Sequence, residues 1–138
     1  KLGSGPGEFK SPHALAMDSQ GRLFVADRGN SRIQIFDQDG KFIAQWAQFG
    51  RPSGLYIDAK DTLYAIDADS SPTTNTAGWT KGIWIGSAKD GKVTAFAPGH
   101  KTDDGNGAAG EGVVTDTAGN LYAAENVLRG ITKYALRH

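Results

Sequence analysis

Two side chains of the types that ligate divalent metals stand at matching places in this sequence: His13, in Ser11-Pro12-His13-Ala14, and Glu111, in Gly110-Glu111-Gly112. A histidine with a carboxylate suits zinc, and the carboxylate suits calcium or magnesium equally well. Arg28 directly follows Asp27. Its guanidinium can hold a substrate carboxylate or stabilise developing negative charge; its structural alternative is an ion pair with Asp27 or Asp67. His13 likewise has a structural alternative, a hydrogen bond to neighbouring backbone. Ser53 lacks both a base and a nucleophile-elbow context, so a substrate contact is expected of it rather than a nucleophilic role. Trp79 lies near the end of an insertion over residues 69–81. Insertions of that length line or lid one face of a domain, which makes Trp79 a candidate substrate-contacting aromatic unless it folds back to pin its own loop. Asp103-Asp104-Gly105-Asn106-Gly107, just after His100, has the acids and turns of a calcium site without EF-hand spacing. A solvated turn is the alternative there.

What must position these residues is an internal repeat. Three stretches superimpose without a gap. They begin at Pro12, Pro52 and Gly110, reach a first Asp at Asp18, Asp58 and Asp116, and end on a second acid at Asp27, Asp67 and Glu125. Each reads as a hairpin. A short strand runs to an Asp that can bond its own turn, a Gly or Asp supplies a permissive backbone, and an apolar second strand follows. Third strands are expected around Ile33, Ile83 and Thr132, and Asp39-Gly40 and Asp90-Gly91 turns launch fourth strands. Four antiparallel strands recurring every ~40 residues describe a β-propeller blade. The expected fold is therefore all-β, with blades over residues 9–47, 48–97 and 108–138 in one partial propeller. Residues 1–8 are expected to be the end of a preceding or closing strand. The third unit stops before any fourth strand, so about half of a six-bladed disc is present, to be completed by further blades or by a second chain about a two-fold axis.

In such a disc the residue opening each innermost strand points toward the central channel. His13, Ser53 and Glu111 hold those positions. His13 and Glu111 would sit two blades apart, about 120° around the ring, where they can face one metal.

The stretch from Pro12 through Asp27-Arg28-Gly29-Asn30-Ser31-Arg32-Ile33 to Phe36, with its lead-in Gly5-Pro6-Gly7-Glu8-Phe9, resembles an NHL repeat. The other copies are looser, and the resemblance runs along nearly the whole chain. The placement of His13 and Arg28 further resembles the peptidyl-α-hydroxyglycine amidating lyases. In those NHL propellers three histidines from alternate blades hold a catalytic zinc, and an arginine faces the substrate. The resemblance implies that His13 is a metal ligand and Arg28 a catalytic residue. Glu111 takes the place of a further histidine, a departure from the family. A remaining histidine and a catalytic tyrosine would belong to other blades. The alternatives are a non-catalytic interaction module and a lactonase-like propeller, for which the Glu111 context speaks.

Composition narrows the partners. Lys plus Arg number 15 and Asp plus Glu 15, so no net field draws nucleic acid or an anionic membrane. Apolar runs of about five residues are too short to span a bilayer as helices. A small-molecule or peptide substrate fits better. Cysteine is absent, which excludes disulfides and thiolate chemistry and leaves the compartment open.

Overall fold

The computed structural model describes residues 1–74, 77–102 and 107–137. It holds three antiparallel sheets, each a meander in chain order. The first comprises β1 (Pro12–Met17), β2 (Leu23–Asp27), β3 (Arg32–Phe36) and β4 (Phe42–Trp46); the second β5 (Gly54–Ile57), β6 (Thr62–Asp67), β7 (Gly82–Ser87) and β8 (Val93–Pro98). The third has three strands, β9 (Gly112–Thr115), β10 (Leu121–Glu125) and β11 (Gly130–Tyr134). These are propeller blades, and the calcium-like turn expected at residues 103–106 lies outside the described residues.

The turn logic of the repeat is visible atom by atom. Asp18 Oδ1 accepts the amides of Gln20 and Arg22, Asp58 Oδ1 those of Lys60 and Thr62, and Asp116 Oδ1 those of Ala118 and Asn120. Each bonded turn needs one left-handed residue, supplied by Gly21, Asp61 and Gly119. Asp tolerates this region because its short polar side chain bonds locally. The Asp61 side chain here reaches the neighbouring blade, taking the amide of Ser19 at 2.8 Å and its hydroxyl at 2.6 Å, which ties blade 2 to blade 1.

Neighbouring blades pack face to face. Between blades 1 and 2 lie Phe24, Ile33, Ile35, Phe49, Leu63 and Ala65; between blades 2 and 3 lie Tyr64, Ile66, Ile83, Val113, Leu121 and Ala123. Strand β6 thus sends Leu63 and Ala65 one way and Tyr64 and Ile66 the other, and is buried on both sides. A strand sandwiched in this way must be apolar throughout instead of alternating. Each fully buried aliphatic or aromatic side chain contributes about 1.5–3 kcal/mol. The outer faces of the two end blades carry apolar residues in the open: Leu15, Met17 and Ile43 on blade 1, Val114 and Ile131 on blade 3.

Residues 1–9 fold back onto blade 1. Leu2, expected within a preceding or closing strand, is joined to Phe9 by a parallel bridge. The loop this makes feeds its carbonyls to Arg32, whose Nη1 donates to Ser4 O and Nη2 to Gly5 O and Glu8 O, while Nε donates to Asp27. The Asn30-x-Arg32 element is therefore a structural clamp.

Candidate functional site

The three residues that open the inner strands come together. His13 Nδ1 lies 2.7 Å from the carbonyl oxygen of Ser53 and 3.7 Å from Glu111 Oε2. Arg28 Nη1 lies 3.9 Å from that same Glu111 oxygen. The innermost strands β1, β5 and β9 of adjacent blades stand side by side, which brings residues 98 positions apart within reach.

Local backbone features aim each group. The pairing of β1 with β2 slips between Pro12 and Ala14, leaving His13 as the extra residue of a bulge. Bulges re-aim a side chain out of the sheet's alternation. Arg28 opens the 3-10 turn Arg28–Asn30, and its amide donates to Ser11 O at 3.0 Å, which fixes it beside the start of β1. Glu111 is held by its amide, bonded to Ala124 O at 2.9 Å. A Cβ on Gly54 would stand 2.4 Å from Glu111 O and 2.8 Å from Ile66 Cγ2. Only a glycine lets β5 approach the blade 3 backbone so closely. Gly54→Ala is expected to cost about 1–3 kcal/mol of stability through overpacking, measurable by urea denaturation, and to displace Glu111.

Of the two alternatives for His13, the backbone bond is made. A carbonyl only accepts, so Nδ1 is the donor of this bond, and in the neutral ring the lone pair then lies on Nε2. Arg28 does not take the alternative of pairing with Asp27 or Asp67. Asp27 is occupied by Arg32 and Asn30, and Asp67 by Ser70 and the Arg51 amide. Ser53 is 1% exposed, so its contribution to the site is its carbonyl and not a hydroxyl presented to solvent. Trp79 lies away from this cluster, in a groove shared with Asn30, Ser31, Ala47 and Thr74. The insertion therefore borders the same groove as the end of the Arg28–Asn30 turn.

Three polar atoms here are buried without a hydrogen-bond partner among the described residues: Arg28 Nε, Ser53 Oγ and Glu111 Oε2. The first is a donor, the last an acceptor. Buried polar groups are as a rule satisfied, so three such atoms side by side make this a candidate ligand site. Glu111 also forms part of the wall of a groove of about 530 Å³, lined otherwise by apolar residues including Leu55, Val113 and Ile131.

Asp69, at the start of the insertion, belongs to the electrostatics of the site and escaped the sequence reading. The Arg51 hydrogen bond outweighs burial and, with the charges of Arg51 and Arg28, holds its carboxyl below the usual range. A second acid beside Arg28 has no signal in a repeat alignment, because it sits in an insertion.

His13 and Glu111 have the right donor chemistry for a divalent metal: a free imidazole lone pair and an unpartnered, buried carboxylate oxygen. Among the described residues no three His, Cys, Asp or Glu side chains converge on one point. A catalytic zinc takes three protein ligands. Two donors fall short of that number.

Comparison with known proteins agrees with the repeat. The NHL repeat model matches residues 9–36. Human NHL repeat-containing protein 3 is 53% identical over 45 residues, 32% of this chain and 13% of that protein. Peptidyl-glycine alpha-amidating monooxygenase A of Xenopus laevis is 34% identical over 104 residues, 72% of this chain and 11% of the frog protein. The chain thus spans a small part of either relative. Among solved structures, Saccharomyces cerevisiae Sqt1 superposes with a TM-score of 0.62 at 12% identity, over 93% of this chain and 31% of that one. At that identity the likeness concerns the fold alone. The chain thus carries an NHL repeat over residues 9–36 within a propeller fold.

Proposed function

We propose that this NHL module carries the substrate-binding part of a lyase of the peptidyl-α-hydroxyglycine type, with the substrate seated over Arg28, His13 and Glu111 at the channel mouth. The observation that carries the reading is the convergence of His13 and Arg28 of blade 1 on one oxygen of Glu111, at 3.7 and 3.9 Å. The likeness to the frog amidating monooxygenase over 104 residues supports it.

The unmet groups match such a substrate in sign. Its terminal carboxylate accepts from the Arg28 guanidinium, a bidentate pairing for which arginine is suited. Its α-hydroxyl donates to Glu111, and the apolar groove beside Glu111 receives a neighbouring side chain. In the reaction the α-hydroxyl gives up its proton to a base, and the α-carbon to nitrogen bond breaks. The nitrogen takes a proton, leaving a peptide amide and glyoxylate. Arg28 stabilises negative charge as the hydroxyl proton departs. The base comes from other blades. His13 Nε2 and Glu111 would hold a divalent metal, which when bound supplies Lewis-acid polarisation of the hydroxyl oxygen. A closed ring is needed around this site. The exposed Leu15, Met17 and Ile43 face and the Val114 and Ile131 face are where further blades, or a second copy, would complete it.

The test uses the intact protein that contains this chain, incubated with a peptidyl-α-hydroxyglycine, with glyoxylate release as the readout. Turnover well above buffer is expected, falling about 10²-fold or more in His13→Ala. Release no faster than in buffer removes the lyase reading and leaves a binding module.

A further inference from the structure

The acids that end the second strand of each blade, Asp27, Asp67 and Glu125, are repeat equivalents, and all three are buried. A buried carboxylate is tolerated only where its charge is met. In blade 1, Asp27 accepts from the amides of Lys10 and Ser11 and from Asn30, Arg32 and Gln34. In blade 2, Asp67 accepts from the amides of Arg51, Asp69 and Ser70 and from the Ser70 hydroxyl. Both oxygens are saturated in each case.

Blade 3 differs. The Glu125 side chain is 0% exposed, Oε1 takes a long hydrogen bond of 3.4 Å from the Tyr134 hydroxyl, and Oε2 has no partner among the described residues. Burial, helped by the Glu125 charge, pushes the Tyr134 phenol up to about 12, so it stays a neutral donor and cannot offset that charge. The basic group within ion-pair distance is His100, whose Nε2 lies 3.2 Å from Glu125 Oε1 and 3.1 Å from Thr132 Oγ1. One imidazole nitrogen thus stands equally close to a carboxylate and a hydroxyl oxygen. Adjacent ligands of a tetrahedral ion bound at about 2.0–2.2 Å are separated by roughly 3.3–3.6 Å, within a few tenths of an ångström of both distances.

We infer that Glu125, His100 and Thr132 form a binding site for a small divalent cation with zinc-like donor preference, between blades 2 and 3 and separate from the channel mouth. The internal comparison carries the inference: the same position is saturated by protein groups twice, and once it keeps an open oxygen, Oε2, while His100 Nε2 stands 3.2 Å from the other oxygen and 3.1 Å from the Thr132 hydroxyl. Entry is open, because the His100 side chain is 38% exposed. His100 follows β8 of blade 2, whereas Glu125 and Thr132 belong to β10 and β11, so a bound ion cross-links the two blades. Binding to the folded form alone raises stability in proportion to the logarithm of ion concentration.

The experiment uses the intact protein carrying His13→Ala and Glu111→Ala, which removes the donors at the channel mouth. Cobalt(II) serves as the spectroscopic probe and zinc as the stabilising ion. One equivalent of cobalt is expected to bind with the visible bands of a four-coordinate ion. Zinc is expected to raise the unfolding midpoint by several degrees. Adding His100→Ala, a change at a partly exposed position, weakens cobalt binding at least tenfold and removes the zinc effect. Thr132→Val, similar in shape, weakens binding several-fold. If the double variant binds no cobalt, or if His100→Ala leaves binding and zinc stabilisation intact, the site does not exist and His100–Glu125 is an ion pair only. Neither result bears on glyoxylate release, so the two proposals fail separately.

Discussion

Asp27→Ala is expected to destabilise the fold by about 3–5 kcal/mol, the largest stability loss for a single side chain here, read as a lowered urea midpoint with an unchanged slope. Asp27 is 0% exposed and joins the lead-in of β1, the 3-10 turn and the guanidinium of Arg32. Its removal leaves the Arg32 charge buried without its counter-ion, and the Lys10 and Ser11 amides without an acceptor. The pH dependence provides a check. Burial pushes the Asp27 carboxyl up, but hydrogen bonds from Asn30, the Lys10 amide and Arg32 together more than reverse this and hold it below 3.8. A group lowered on folding stabilises the native state above its unfolded value and loses that effect as pH falls through its folded value. The gap between wild type and Asp27→Ala is therefore full above about pH 4 and narrows below it. A gap that stays constant down to pH 2 contradicts this account.

Arg28→Ala is expected to have the reverse profile, a large loss of activity with little loss of stability. Under the proposed function kcat/KM falls by about 10²–10³, with Arg28→Lys recovering little because a point charge cannot replace a planar fork. Stability changes by no more than about 0.5 kcal/mol, since the Arg28 Nε has no partner to lose and its contact with Glu111 is 3.9 Å long. Steady-state kinetics beside urea denaturation of the same variant tests both halves. A variant that unfolds readily while its remaining folded fraction turns over normally would make Arg28 a structural residue.

The alignment of Pro12, Pro52 and Gly110 was enough to read the blade pattern and to single out His13, Ser53 and Glu111 as equivalent. That inference rests on periodicity, which the order of the residues carries directly. What periodicity does not carry is the path of the backbone. The bulge that turns His13 out of β1 leaves no residue signature, and the acceptor it meets is a carbonyl that any amino acid at position 53 would provide. The landing place of the insertion was illegible for a related reason. Trp79 lines a groove with Asn30 and Ala47, and its residue type alone favours no particular neighbour. Glu125 was readable as an acid in register, but its deficit emerges only when the partners of Asp27 and Asp67 are counted beside it.

The bond from His13 to the Ser53 carbonyl runs from blade 1 to blade 2, and the Glu111 carboxylate arrives from blade 3. The cluster is consequently a gauge of blade alignment. Splaying blade 1 from blade 2 by an ångström breaks the carbonyl bond, and splaying blade 3 from blade 1 withdraws the carboxylate. Whatever tightens or loosens the ring, even at its rim, is felt at this point as a change in which nitrogen of His13 is available.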